Sequence, residues 1–325
     1  MTSPNGFSGM GLRGMWLGSL RTHVSGWGVV GALGWGFGAQ KSGRRVCPLV
    51  GRVLGQLMGG EVREADRYVH IVWGHIVCGA TIETMTSLGR HTIFQNSLMS
   101  ALLDGIYDGE MTIGEILSKG NFGLGTFDGL DGEMIILDGT CYQLRSDGSA
   151  TIADLDQKSP FAQVTNFVPK IVAKAPKGMK RSELSKFIDD LEPSGNYFHA
   201  VRIKGTFTNV TTRTVTKQSK PYPPMREAVG DDKEITFENA RGIIGGFRTP
   251  KYAKGIGVPG CHVHFINEKR TSGGHVLDYT VEDAVIELCP GTDMELHLPL
   301  TADFAAGNLS PDDIDEQIHS TEVKS

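Results

Sequence analysis

The chain has 325 residues, 39% of them hydrophobic, and a formal net charge of -5, enough for one large or two ordinary domains with a substantial core. This balance demands neither nucleic acid nor a membrane surface as partner, and no apolar run reaches the length needed to span a bilayer. The five cysteines (Cys47, Cys78, Cys141, Cys261 and Cys289) are scattered and odd in number, which argues against a disulfide framework and for a reducing, cytoplasmic setting.

Residues 1 to about 60 differ from the rest. They carry six Lys or Arg, no Asp or Glu, and sixteen of the 43 Gly, so the remainder has a net charge of -11. Acid-poor, Arg-containing N-termini resemble transit peptides, yet Gly26, Gly28, Gly31, Gly34 and Gly36 make poor helix material. A secretory signal fits no better, because Val29 to Phe37 is interrupted by glycine. Residues 1–88 are expected to be an extension outside the fold, with Met85 as a candidate start, although Val69 to Val77 has the pattern of a short strand.

Organised sequence begins near residue 90, with His91 to Gln95 as a strand. Leu98, Met99, Leu102 and Leu103 follow at helical spacing, ending at Asp104-Gly105. Thr112 and Glu115 form a capping box, and Gly120 suits a helix end. Asp138-Gly139 is a type I′ hairpin signal between Met134–Leu137 and Thr140–Leu144, and Asp147-Gly148 repeats the device, predicting a β-meander. Phe161 to Val168 reads as a strand. Ser182 is placed to cap a helix carrying Leu184, Phe187, Ile188 and Leu191. Two strands, Tyr197–Ile203 and Phe207–Val215, are expected to join at Lys204-Gly205.

Pro221, Pro223 and Pro224 mark an irregular connection, read as part of a domain junction. Short β-like runs follow at Ile243–Phe247, around the histidines near residue 262, at Ala284–Cys289 and at Met294–Leu298. Ser310-Pro311-Asp312-Asp313 predicts the start of a short helix before the C-terminal tail. The expected class is α+β, two sheet-containing domains of mixed or antiparallel sheet with a few helices. The expected division is 89–230 as an N-terminal α/β domain and 231–325 as a C-terminal metal-binding β domain.

The chemistry concentrates in GCHVHFINEKRTSGGHVLDY, residues 260–279. His262 and His264, two apart on a strand, point to one face. Asn267 to Gly274 supplies turn chemistry, and if the flanking runs pair as a hairpin, His275 falls opposite His264. Three converging imidazoles with an open position are the donor set of a catalytic metal site. Other signals fail. Gly123-Leu124-Gly125 has Asp128 where a dinucleotide loop needs its third glycine, and His297, alternating with Glu295, reads as a solvated strand residue. Glu133 at the start of a strand and Arg213 on another would each be taken alone for surface residues, and Glu322 lies where chains usually fray. His262, His264 and Glu268 also resemble the opening of a cupin motif. Against that, His275 arrives within the same hairpin, and Glu268 sits in the turn beside Lys269 and Arg270.

From about Phe94 onward the chain resembles the alpha-acetolactate decarboxylases. The matching stretches are LLDGIYDGEMTIGEIL, GNFGLGTFDGLDGEMIILDG, TRTV with KPYPPM, and GFRTPKYAKGIGVPGCHVHFINEKRTSGGHVLDY. The resemblance implies metal ligation by His262, His264 and His275, zinc as the metal, and a homodimer with its site in a cleft between two sheet-containing domains. It places the family glutamate of the DGEM motif on Glu133, as catalytic acid and metal ligand. It places the arginine of the TRTV motif on Arg213, and a ligand from the C-terminal tail on Glu322.

The activity it implies is decarboxylation of 2-acetolactate to acetoin and CO2. The substrate carries its own electron sink, a ketone next to the carbon that loses CO2, so neither thiamine nor pyridoxal is required. A metal chelated by the hydroxyl and ketone oxygens would stabilise the enediolate. Arg213 would orient the carboxylate, and Glu133 would protonate one face. Two other readings stand beside it, a cupin-like metalloenzyme and a non-catalytic β-domain with a structural metal.

Overall fold

The computed structural model describes Val69–Ile71 and residues 90–322, apart from 193 and 230–232. The described residues all belong to one unit, Val62–Ser325. Most of the expected N-terminal extension lies outside the described residues. Its strand signal is met by β1 (Val69–Ile71), which pairs in parallel with β8 (Ile171–Lys174).

Two sheets make up the fold. The first has seven strands, in the order β13 (Asp293–His297), β2 (Thr92–Asn96), β7 (Ala162–Thr165), β3 (Phe122–Thr126), β4 (Glu133–Leu137), β5 (Thr140–Leu144) and β6 (Ala150–Ile152). The meander β4–β5–β6 forms where the turn residues predicted it. Asp138 and Gly139 both take positive φ, 50° and 80°, as a type I′ turn requires. Gly123 and Gly125 lie within β3, where a Cβ would come within 2.3 Å of the Gln163 and Phe161 carbonyl oxygens. Their role is to let β7 approach, not to cradle a phosphate.

The second sheet has six strands in the order β1, β8, β12 (Gly273–Gly291), β11 (Gly260–Asn267), β10 (Ile235–Thr249) and β9 (Phe198–Arg213). β9 also pairs with β12 along its length, so β9, β10, β11 and β12 form a closed circuit. Inside this circuit lie Val201, Ile203, Phe207, Val263, Phe265 and Tyr279, and Leu184 and Ile188 of α3 (Arg181–Leu191) join the same core.

Strand alternation gives each sheet two uses. Phe122, Leu124, Ile135 and Leu137 of the first sheet share a core with Ile243, Phe247 and Ile266 of the second, the two-layer packing expected of sheets with one apolar face each. On the far side of the seven-stranded sheet, Met134, Ile136, Ala162 and Val164 are covered by Ile113 and Ile116 of α2 (Ile113–Leu117). That helix carries the expected capping box: the Thr112 N–H donates to Glu115 Oε2, and the Glu115 N–H donates to Thr112 Oγ1. α1 (Met99–Leu103) ends at Gly105, with φ 89°.

Several expectations are corrected. Gly205 is not a turn. β9 runs unbroken for 16 residues, and a Cβ at Gly205 would lie 2.2 Å from the Asp283 carbonyl oxygen, so the glycine admits the backbone of β12. The runs after His275 likewise merge into the 19-residue β12, whose register shifts past Val276 and again near Val281. α3 starts at Arg181 rather than after Ser182, with the Lys180 N–H donating to the Glu183 carboxylate. The helix expected from Ser310 starts at Ile314, as α6 (Ile314–Glu322), after α4 (Met225–Ala228) and α5 (Ala302–Ala306). The sheets also do not divide at residue 230. β8 and β9, from before it, belong with β10–β12, and β13, from after it, belongs with β2, because each strand joins the sheet whose apolar face it completes.

Candidate metal centre

The hairpin forms in the register that its sequence implies. His264 stands directly opposite His275 across β11 and β12, while His262 lies two residues back along β11 on the same face. The three rings are mutual neighbours, with centroids 5.1 to 5.4 Å apart, and their ligand nitrogens lie within 4.8 Å of one another. Strand parity forces this. Cys261, Val263 and Phe265 pack toward the interior of the closed circuit, which turns His262 and His264 toward the other sheet.

Four further groups complete the cluster. Glu133 opens β4 with the parity of Ile135 and Leu137, so it faces between the sheets, and its Oε2 is 3.6 Å from His264 Nε2. Glu322, in the last described turn of α6, sets Oε2 3.3 Å from His262 Nε2 and 3.8 Å from His275 Nδ1. Arg213 ends β9 directly opposite His275 and is 3% exposed, with Nε and Nη1 making no hydrogen bond among the described residues. The Met134 carbonyl lies 2.7 Å from His264 Nδ1.

Those contacts assign tautomers. A carbonyl only accepts, so His264 carries its proton on Nδ1 and turns the Nε2 lone pair to the centre. His275 Nε2, 3.4 Å from the Glu322 backbone carbonyl, must donate, leaving Nδ1 toward the Glu322 carboxylate. Burial, then the Arg181 and Arg213 charges, lowers the pKa of His262 to about 3. Burial first, with His262 beside it, takes His264 to about 3. Burial and its two histidine neighbours hold His275 well below the ordinary imidazole range. All three are therefore neutral at pH 7 and able to ligate. Burial pushes Glu322 up to about 7, against the opposing pull of Arg213 and Arg181.

The donor set fits a divalent cation. Three neutral imidazoles and two carboxylates converge, and the buried His264 Nε2 and Glu322 Oε2 have no hydrogen-bond partner among the described residues, a state that costs free energy unless something else satisfies them. The space among these groups, about 20 Å³, is room enough for an ion or a single water. Met99, Leu102, Leu130, Phe161, Val215 and Met225 wall it, keeping the polar cluster in apolar surroundings.

The profile of the family described as alpha-acetolactate decarboxylase matches residues 93–311. The chain belongs to the alpha-acetolactate decarboxylase family. It is 49% identical over 230 residues to the alpha-acetolactate decarboxylase of Bacillus subtilis (strain 168), covering 71% of this chain and 90% of that protein. The protein of the same name from Klebsiella aerogenes is 44% identical, with coverage of 71% and 88%. The crystal structure of the enzyme from Bacillus subtilis strain 168 superposes with a TM-score of 0.70 at 48% identity, covering 72% of this chain and all of that one.

The family's segment contains five of the six candidate site residues, and Glu322 lies beyond it in α6. Glu322 does not fray, contrary to the ordinary expectation for its position, because Ile318, Thr321 and Glu322 are buried. Glu268, which a cupin motif would need at the centre, sits exposed in the hairpin turn paired with Arg241 at 3.0 Å. His297 lies 3.8 Å from Glu110, outside the cluster. Two contributors escaped sequence reasoning. The Met134 carbonyl has no residue signature, and Arg181, which donates to the Cys261 carbonyl at 3.4 Å, stands before the cap expected at Ser182, where nothing in the pattern marks it.

Proposed function

We propose that this chain is a carboxy-lyase that converts 2-acetolactate to acetoin and CO2, with His262, His264, His275, Glu133 and Glu322 holding a divalent cation. Family membership, at 49% identity to a protein named for this reaction, carries the activity. The observation that supports the site is the meeting of three neutral imidazoles, two carboxylates and one arginine whose Nε and Nη1 have no partner among the described residues. Imidazole and carboxylate oxygens favour zinc among the common cations.

A cation bound there supplies Lewis-acid stabilisation of the negative charge that builds on the substrate oxygens. The residues do the rest. Arg213 offers its guanidinium N–H groups to the substrate carboxylate, fixing the bond that breaks. The electron pair of that bond passes into the adjacent ketone as CO2 leaves. Glu133 then delivers a proton to the carbon that lost CO2, from one side only, so that acetoin forms with one handedness. One proton is consumed per turnover, and solvent restores it to Glu133. The apolar wall keeps bulk water away from the carbanionic carbon. A homodimer follows from the family resemblance alone. A cytoplasmic location rests on the scattered cysteines, and no helix among the described residues is long and apolar enough to cross a membrane.

The test is acetoin formation from acetolactate, measured with and without chelator. Activity that a chelator abolishes and a divalent salt restores supports the reading; metal-loaded protein that makes no acetoin sinks it. A purely structural metal would instead show as cooperative unfolding on chelation with no acetolactate turnover when the metal is present.

A further inference from the structure

Behind the metal centre, on the opposite face of β11, lies a second cavity of about 590 Å³, within the range of small-molecule sites. It opens where the N-terminus of α3 meets the closed circuit of strands. Its inner wall is apolar, formed by Ile203, Val263 and Leu277, and its rim is polar, formed by Lys180, Arg181, Ser182 and Ser185. The first turn of the 11-residue helix carries a partial positive charge, and its Lys180 N–H donates to the Glu183 carboxylate. Lys180 and Arg181 add two full charges, against the exposed carboxylates of Glu183 in the same turn and Asp278 at the mouth.

An independent feature points to a ligand. Tyr279 lines the cavity, is 3% exposed, and takes part in no hydrogen bond among the described residues. Buried tyrosine hydroxyls normally find a partner. The ring is held edge-to-face on Phe207, with centroids 5.8 Å apart, inside the circuit. Cys261 and Arg181 line the same cavity as Tyr279. Arg181 itself makes one long hydrogen bond, to the Cys261 carbonyl, and has donors to spare.

We infer that this cavity is a second, non-catalytic binding site for a small anion, a carboxylate or phosphate group with a short apolar body. The anion is held by Arg181, Lys180 and the α3 N-terminus, the Tyr279 hydroxyl donates to it, and the apolar body lies against Ile203, Val263 and Leu277. The site is separate from the catalytic grip, because Cys261 and Val263 face away from His262 and His264.

The experiment titrates full-length, metal-loaded protein with sodium phosphate and, separately, with sodium propionate, reading heat by calorimetry and tyrosine ring shifts by NMR. Expected is binding of at least one anion away from the metal centre. Arg181→Gln weakens it about tenfold, as loss of a charge-assisted pair does, Tyr279→Phe weakens it measurably, and Arg213→Gln leaves it unchanged. The tighter anion identifies the headgroup. If Arg181→Gln fails to fold, the exposed Lys180→Gln variant gives the same reading. The inference is overturned if neither anion binds, or if binding survives the Arg181 or Lys180 substitution and disappears with Arg213→Gln, which would place the anion at the catalytic site.

Discussion

His264 and Met134 belong to different sheets, yet His264 Nδ1 and the Met134 carbonyl oxygen are 2.7 Å apart. The hydrogen bond fixes one tautomer and ties the histidine-bearing hairpin to the strand that carries Glu133. His264→Ala removes a proposed ligand and this tie together. It should lower the metal content of purified protein to near background and reduce acetoin formation more than about a hundredfold, beyond the loss typical of a ligand's supporting partner. Metal analysis beside the activity assay checks it; a His264→Ala protein with full metal and activity would remove the histidine from the centre.

Arg213 is charged, buried and unpaired at two of its nitrogens. Arg213→Lys keeps the charge but not the planar fork, so the proposed bidentate hold on the substrate carboxylate is lost. The expected loss in kcat/KM is about ten- to a hundredfold, or ~1.4–3 kcal/mol, with metal content unchanged. Wild-type kinetics in Arg213→Lys would mean that the carboxylate is held elsewhere.

The stability of the metal-free protein should fall in mild acid. His262 and His264 are lowered to about 3, and His275 also lies well below its usual range. His199, buried beneath Arg248, is lowered to about 4. Each contributes stability above the ordinary histidine value near 6.5 that is lost as pH drops, because only the unfolded chain takes up the proton. Glu322 and Glu192, raised to about 7 and about 8, work the other way between about 4.5 and those values. Four groups oppose two, so the urea midpoint should drop between pH 6.5 and pH 5. A midpoint that holds or rises over that interval would contradict this account.

Gly205→Ala should destabilise the fold although it lies far from the chemistry. The new Cβ would meet the Asp283 carbonyl oxygen at 2.2 Å and the Ala284 Cα at 2.5 Å, both backbone atoms in a paired strand. Overpacking of this kind costs about 1–3 kcal/mol, visible as a lower thermal midpoint. An unchanged midpoint would mean that β12 shifts freely.

A chain beginning at Met85 should keep its activity. The family segment, residues 93–311, and all six candidate site residues lie beyond that point, and the cut removes only the edge strand β1 from the described fold. Comparing kcat/KM of the shortened and full chains decides it; a shortened chain that does not fold would show that the earlier residues are needed.

What the sequence discloses depends on how many physical cues coincide at a position. His262, His264 and His275 were legible because strand parity, a glycine-containing turn and one residue type agreed. Asp138-Gly139 and the Thr112–Glu115 box were legible for the same reason. Glu133 and Arg213 were not legible from pattern, since a single charge on a strand is ordinary and only tertiary packing buries it; the family resemblance located them. Glu322 looked frayed because nothing local announces that Ile318 and Thr321 anchor the helix. Gly205 misled because glycine serves turns and close strand contacts alike, and only the partner strand tells which.

The pairing of β2 with β13 has a consequence for how the polypeptide acquires its shape. His91 and Thr292 are joined by a hydrogen bond across 201 residues, so one edge of the seven-stranded sheet stays open until almost the whole chain has left the ribosome. Closing so long a loop is entropically slow, and the waiting strand is exposed to intermolecular pairing meanwhile. Recombinant yield should therefore respond to temperature and translation speed more than to substitutions at the catalytic residues.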